Sequence, residues 1–123
     1  INENELRQEM RDNKTKIESL AKKLIKERKI NKIIVTQGKK GVFIINKKFN
    51  INYFAAFAKH SVDKVGAGDA MLSIASIGLK LDLDPDLILL IGSLAAAESV
   101  ENIGNKNRIS FDKIDRTLEY ILK

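Results

Sequence analysis

The chain has 123 residues, 44% of them hydrophobic and 31% charged, which is enough for one domain with a modest core. It contains no cysteine, which excludes a disulfide framework and a thiolate metal site and suits the reducing cytoplasm. No apolar run approaches the ~20 residues of a membrane span, so we expect no membrane partner. The net charge is +6, but the basic stretches lack interleaved aromatics and known recognition motifs. We therefore expect no nucleic-acid partner.

Two helices and a buried strand are predicted for the first third of the chain. A short helix is expected over Glu5–Asp12. From Lys14 to Lys29 apolar residues recur at helical spacing and predict a strongly amphipathic helix. Its apolar face consists of Ile17, Leu20, Ala21, Leu24 and Ile25. The continuous apolar run Ile33–Val35 is typical of a strand that is buried on both faces.

A hairpin is predicted next. Gly38–Gly41 forms a turn that leads into the strand Val42–Ile45. Asn46–Lys48 turns the chain again, and Phe49–Tyr53 alternates apolar and polar residues, which predicts a strand with one solvated face.

The stretch Val62–Ala70, VDKVGAGDA, is the most informative in the chain. It leads into residues with helical apolar spacing, so its glycines stand at a helix N-terminus, where free N–H groups and the helix dipole favour an anion. The apolar residues are Met71, Leu72, Ile74, Ala75, Ile77 and Leu79. Two interpretations of Asp69 stay open: a base that deprotonates an attacking hydroxyl beside a bound phosphoryl group, or a simple helix cap.

Two common nucleotide-binding motifs do not match this glycine stretch. A dinucleotide-binding fingerprint wants Gly or Ala where Met71 stands, and a buried strand where the polar residues 59–64 precede the turn. A P-loop needs Gly-Lys-Ser/Thr after four spacer residues, and no such string occurs.

Helices are predicted for the rest of the chain. Asp84 and Pro85 supply an N-cap and a first-turn proline for a helix that runs to about Val100 and is closed near Gly104. Ser110 opens a last helix, whose inward residues are Ile114, Leu118, Ile121 and Leu122. A helix, a strand hairpin and further helices fit the second half of a three-layer α/β sandwich.

Three segments together resemble the ribokinase-like (PfkB) carbohydrate kinases. Asp63–Asp69 is similar to the family's Asp-Thr-x-Gly-Ala-Gly-Asp signature. Asn2–Glu5 is similar to its Asn-x-x-Glu motif, and Ile33–Val42 to its strand-Thr-x-Gly-x-x-Gly-Val hairpin. The three matches occur in the family's order and cover almost the whole chain.

The resemblance implies an α/β fold, the C-terminal part of a three-layer α/β/α ribokinase-like sandwich. Residues 1–123 are then expected to form a single domain, the ATP-binding portion of a larger sugar kinase whose N-terminal substrate half is absent. The substrate would be a sugar or a sugar phosphate, and a homo-oligomer is compatible with this family.

The resemblance also implies the catalytic residues. Asp69 would be the base on the sugar hydroxyl. The N–H groups of Gly66, Ala67 and Gly68 would form the anion hole for the γ-phosphoryl group of ATP.

Cofactor contacts follow from the same resemblance. Thr36, Gly38 and Gly41 would contact the nucleotide. Ser93 stands where many family members carry Asn along the adenine pocket. The metal positions are Asn2 and Glu5, which would organise Mg²⁺, and Asp63, which lies near a monovalent cation, such as K⁺, that activates several members.

Two features of the sequence keep other functions open. Lys64 stands where the family usually has Thr, which motivates the alternative of a nucleotide-binding or regulatory module without catalysis. A ribokinase-like kinase of a nucleoside or a vitamin precursor shares the same signature. Within the family, the glycine stretch and the tail through Gly104 are most similar to heptose-phosphate kinases paired with a nucleotidyltransferase.

Overall fold

The computed structural model describes residues 1–55, 66–101 and 110–122. Within them the chain forms helices α1–α5 and strands β1–β3, with a single 3₁₀ turn at Gly38–Lys40. In chain order these are α1 (Glu3–Met10), α2 (Ile17–Arg28), β1 (Lys32–Thr36), β2 (Val42–Asn46), β3 (Ile51–Phe54), α3 (Ala67–Lys80), α4 (Pro85–Glu101) and α5 (Phe111–Leu122).

The three strands form an antiparallel sheet in the order β1-β2-β3. Its register pairs Ile34 with Ile44, and the hairpin continues by pairing Ile45 with Ile51. The start of the chain lies beside the outer edge of β1. There the Ile1 amine donates to the Ile34 carbonyl at 3.1 Å, and the Thr36 N–H donates to the Ile1 carbonyl at 3.1 Å.

Helices cover both faces of this sheet, because successive side chains of each strand point to opposite sides. On one face Val35, Phe43 and Ile45 pack against α1 and α2. On the other face Ile34, Val42 and Ile44 pack against α3 and α4. The result is a helix, sheet and helix sandwich, as predicted from the sequence, with α5 added outside α4 through Ile114.

The first helix begins two residues earlier than predicted. Asn2 and Glu5 form a capping box: the Asn2 Oδ1 accepts from the Glu5 N–H at 2.8 Å, and the Glu5 Oε2 accepts from the Asn2 N–H at 2.9 Å. This reciprocal cap fixes the start at Glu3. The helix ends at Met10 because Arg11 adopts a left-handed conformation with φ 51°.

The second helix is shorter than the predicted span from Lys14 to Lys29. The Asp12 carboxylate accepts hydrogen bonds from the Lys14 and Thr15 N–H groups, which holds residues 12–15 in a turn. The Thr15 backbone and hydroxyl bonds also lower the pKa of Asp12 to about 2. The five predicted apolar-face residues of this helix are all buried.

The third strand lies further along the chain than the predicted Phe49–Tyr53. Phe49 belongs to the preceding turn, with φ 65°, and the strand occupies Ile51–Phe54. The Asn46 side chain extends this turn by accepting from the N–H groups of Lys48 and Asn50. The predicted solvated face is only partly correct, since Tyr53, on the expected apolar face, is 58% exposed.

The two helices after the glycine stretch pack closely against each other. Gly78 allows this approach, because a Cβ built there would stand 2.7 Å from the Ile88 side chain. The Asp84 carboxylate accepts from the Asp86 N–H at 2.9 Å and so caps α4, as predicted. Ile77, by contrast, is 56% exposed although it was predicted on the apolar stripe.

The last helix begins after Ser110, as predicted, and Ile114 is buried. The predicted closure at Gly104 lies outside the described residues. In the part of the chain that the structure describes, no helix is both long and apolar enough to cross a bilayer.

Candidate active site

The glycine stretch opens α3 as the sequence predicts. Gly66 is the N-cap residue with φ 106°, a conformation that side-chain-bearing residues rarely adopt, so glycine is required there by the backbone. The first intrahelical bond runs from the Ala70 N–H to the Gly66 carbonyl at 2.9 Å. The N–H groups of Ala67, Gly68 and Asp69 come before it and have no acceptor within the helix. Within the described residues they donate to no other group, and they form a cluster of donors at the positive end of the helix dipole.

Asp69 is not the cap of this helix. It is the third helical residue, and the structure shows no side-chain cap bond at this end. Asp69 is exposed, and within the described residues its carboxylate has no hydrogen-bond partner, while its carbonyl accepts from the Ser73 hydroxyl at 2.7 Å. Among the described residues, this carboxylate therefore has no structural role as a helix cap.

Gly68 has no structural reason of its own to be glycine. It lies in the first turn of α3, and a Cβ built on it meets no heavy atom within 4 Å. Glycine inside a helix costs about 0.5–1 kcal/mol relative to alanine. Packing therefore does not explain why this residue is glycine. Close approach of a ligand to the backbone N–H groups would explain it.

The loop between β1 and β2, Gln37–Gly41, carries two of the predicted nucleotide contacts. Its ends are joined by the Gln37 N–H, which donates to the Gly41 carbonyl at 2.8 Å. Gly38 and Gly41 both have positive φ, 55° and 99°. A Cβ built on Gly38 would meet no heavy atom within 4 Å. Thr36, the last residue of β1, is half-buried directly before the loop.

The start of the chain brings the predicted magnesium residues beside this loop. Asn2 forms a parallel bridge with Thr36, so the structure places these two predicted site residues together. The Asn2 and Glu5 side chains hold each other's backbone in the capping box, and both residues are exposed. Within residues 1–55, 66–101 and 110–122, no three His, Cys, Asp or Glu side chains are grouped so that they could hold a metal.

A charged network that was not predicted from the sequence connects α1 to the β1–β2 loop. The Glu3 Oε1 accepts from the Arg7 Nε at 3.2 Å and Nη2 at 3.0 Å, and the Glu3 Oε2 accepts from the Gln37 Nε2 at 2.9 Å. The Lys40 Nζ lies 3.7 Å from the same Oε2. The Gln37 bond, followed by the Arg7 bonds and nearby cations, lowers the pKa of Glu3. Glu3 and Arg7 are four residues apart, so their ion pair could have been predicted from the sequence. The contact between Glu3 and Gln37 could not, because these residues are 34 positions apart.

Two polar residues of α4 are buried. Ser93, predicted at the adenine pocket, is 6% exposed and follows Gly92, which packs against Met71 of α3. Glu98 is 7% exposed; its Oε1 accepts from the Ser110 N–H at 2.9 Å, whereas its Oε2 has no partner among the residues that the structure describes. Glu98 therefore joins the end of α4 to the start of α5, a role that the sequence did not suggest.

One core cluster connects the two halves of the candidate site. Val42, the residue after the β1–β2 loop, and Met71, two residues after Asp69, belong to the same buried cluster. The loop and the helix N-terminus therefore flank a common core. Asp63, the predicted cation position, lies outside the described residues.

The sequence matches the pfkB family of carbohydrate kinases over residues 1–111. The chain belongs to this family. It is also similar to bifunctional HldE proteins, with 33% identity over 105 residues to that of Campylobacter concisus (strain 13826) and 32% over 85 residues to that of Koribacter versatilis (strain Ellin345). These alignments cover 85% and 68% of the chain but only 22% and 17% of the relatives.

Solved structures support the same fold. A ribokinase from Thermotoga maritima superposes with a TM-score of 0.78 at 27% identity and covers 96% of the chain. Phosphofructokinase-2 from Escherichia coli in complex with potassium gives a TM-score of 0.80 at 20% identity, over 99% of the chain. In both cases the match spans 40% of the solved chain. The predicted ribokinase-like α/β fold is thereby confirmed, and the family and its similarity to heptose-type relatives were correctly predicted.

Proposed function

We propose that the protein is an ATP-dependent carbohydrate kinase that transfers the γ-phosphoryl group to a hydroxyl of a sugar or sugar phosphate. Membership of the carbohydrate kinase family supports the reaction class. The observation that carries the proposal is the Asp69 carboxylate beside the N–H groups that open α3, none of which has a hydrogen-bond partner within the described residues.

The proposed chemistry assigns one task to each group at this helix end. The N–H groups of Gly66, Ala67 and Gly68 bind the equatorial oxygens of the γ-phosphoryl group, where negative charge is concentrated. Asp69 accepts the proton of the sugar hydroxyl as its oxygen bonds to phosphorus. The bond from phosphorus to the bridging oxygen breaks at the same time, and ADP leaves.

The remaining predicted residues serve the nucleotide in this proposal. Thr36, Gly38 and Gly41 contact its phosphates or ribose, because the glycine loop lets backbone groups approach closely. Ser93 borders the adenine. Asn2 and Glu5 offer the oxygen donors that Mg²⁺ prefers and would hold it or its water shell.

Two further assignments rest on the family alone. Asp63 would lie near a monovalent cation, for which K⁺ is our candidate because a family relative was solved with potassium. The chain would be the C-terminal, nucleotide-binding portion of a longer cytoplasmic enzyme, since it spans about a fifth of the HldE relatives. Their similarity favours a heptose phosphate as the acceptor.

The proposal is tested with the full-length protein and a panel of acceptors: heptose phosphates, ribose, fructose 6-phosphate, adenosine and a hydroxymethylpyrimidine. We expect ADP release with a sugar or sugar-phosphate acceptor only. Turnover of adenosine or the pyrimidine alone would show a different kinase, and ATP binding without turnover of any acceptor would indicate a regulatory module.

The matched variant for this assay is Asp69→Asn. It should lower kcat by about three orders of magnitude, or ~4 kcal/mol of transition-state stabilisation, because the base is removed while the donors that bind ATP remain. ATP affinity, measured by calorimetry, should change little. Near-normal turnover of Asp69→Asn would exclude this carboxylate as the base.

A further inference from the structure

One oxygen of the Glu3 carboxylate is fixed by Arg7 of the same helix. Its Oε1 receives two donors of the Arg7 guanidinium, and Arg7 is itself fixed because its Nη1 donates to the Thr15 carbonyl at 2.9 Å. Glu3 and Arg7 are only 20% and 21% exposed at their side chains. A planar guanidinium held from both sides leaves the carboxylate little rotational freedom.

The second oxygen of the Glu3 carboxylate contacts the β1–β2 loop. It accepts from the Gln37 side chain, and the backbone of Gln37 makes two of the three backbone hydrogen bonds within the loop. The Gln37 N–H donates to the Gly41 carbonyl at 2.8 Å, and the Gln37 carbonyl accepts from the Lys40 N–H at 3.1 Å. Glu3 thereby fixes the residue from which the loop is closed.

The loop needs such an anchor. Gly38 and Gly41 both have positive φ, and glycine gives the backbone wide conformational freedom that must be removed to keep one conformation. In the part of the chain that the structure describes, the side chains of this loop contact another element at Glu3, through Gln37 and Lys40.

We propose that Glu3 is a positioning residue that holds the Gln37–Gly41 loop in its nucleotide-binding conformation from the first turn of α1. This inference rests on the proposed function for its nucleotide part. Glu3 touches no reacting atom; it acts through Gln37, with Lys40 as a second partner. Its removal should therefore weaken ATP binding and leave the chemical step intact.

The first measurement needs no nucleotide. Amide hydrogen exchange of Gln37 and Lys40, whose N–H groups donate in the bonds that close the loop, is compared between the full-length wild type and Glu3→Ala. We expect exchange of both amides to accelerate about tenfold, because the anchor of their closing bonds is lost. The control is Glu9→Gln on the same helix, whose partner is Arg28 of α2; its loop exchange should equal that of wild type.

The second measurement separates positioning from general stability. Glu3→Ala should raise the KM for ATP about tenfold with kcat within threefold and the KM for the sugar unchanged. Glu3→Gln keeps an acceptor for the Gln37 amide and should restore most of the ATP affinity.

Each outcome decides a different point. Unchanged loop exchange in Glu3→Ala would overturn the positioning role, and faster exchange with an unchanged KM for ATP would overturn its link to the nucleotide. A wild-type protein that neither binds nor uses ATP would refute the proposed function together with that link, while the exchange data would still show whether Glu3 holds the loop.

Discussion

The glycines at the start of α3 differ in what they do, although their sequence context is the same. Gly66 is fixed by its left-handed backbone, whereas Gly68 has an ordinary helical position and open space around it. The sequence alone predicts a glycine-rich helix start and an acid beside it. It does not separate the glycine that the turn needs from the glycine that the fold tolerates, since that difference depends on φ and on neighbouring atoms.

This difference predicts opposite responses to alanine. Gly68→Ala should raise the free energy of unfolding by about 0.5–1 kcal/mol through helix propensity, yet lower ATP-dependent turnover at least about tenfold because a methyl group would enter the proposed anion hole. Gly66→Ala should lower the free energy of unfolding by roughly 1–2 kcal/mol. Urea unfolding and the coupled ADP assay measure both effects. If Gly68→Ala is fully active, the backbone there does not meet the phosphoryl group.

Element boundaries were predicted less well than element types, for local reasons. The start of α1 depends on the capping box between Asn2 and Glu5, and the shift of β3 depends on the Asn46 side chain and the positive φ of Phe49. These are side-chain-to-backbone bonds that compete with regular structure. Hydrophobic periodicity reports which face is buried and contains no information about such bonds.

The contact between α3 and α4 depends on a single missing side chain. Gly78→Ala should lower the free energy of unfolding by roughly 1–2 kcal/mol, because its Cβ would stand 2.7 Å from the buried, β-branched Ile88. Gly92→Ala is the matched control: its Cβ would be 3.1 Å from the flexible Met71 side chain, and a smaller loss is expected. Equal losses in urea unfolding would show that the Ile88 contact is not limiting.

At the scale of the whole molecule, the outer edge of β1 has less backbone pairing among the described residues than the edge that faces β2. Both faces of this strand are covered, and within the described residues its outer edge is paired only near Ile1 and Asn2. The Ile1 nitrogen donates to the Ile34 carbonyl as a peptide N–H does in a parallel ladder. The layer order was predicted from the sequence; the pairing of residues 1–2 with β1 was not, since it joins positions 33 apart.

We therefore expect the isolated 123 residues to self-associate through exposed strand edge and apolar surface, and to show no sugar kinase activity. The match to 40% of each solved relative supports this expectation, because the larger part of each solved chain has no counterpart in these 123 residues. Sedimentation of the purified chain with a coupled sugar assay provides the measurement. A stable, fully active monomer would show that these residues are a complete enzyme.

The capping box at the start of α1 has a thermodynamic consequence for metal binding. Its two side chains already satisfy backbone N–H groups, the Asn2 Oδ1 that of Glu5 and the Glu5 Oε2 that of Asn2. A cation that displaced the N–H groups from both oxygens would break these bonds, and loss of a helix cap costs about 1 kcal/mol, or roughly a fivefold loss of affinity. A cation bound through its own water molecules could leave both cap bonds intact. If Asn2 and Glu5 hold Mg²⁺ as proposed, the cap would favour an ion bound through its water molecules, and Mg²⁺ keeps its hydration shell more readily than larger cations do.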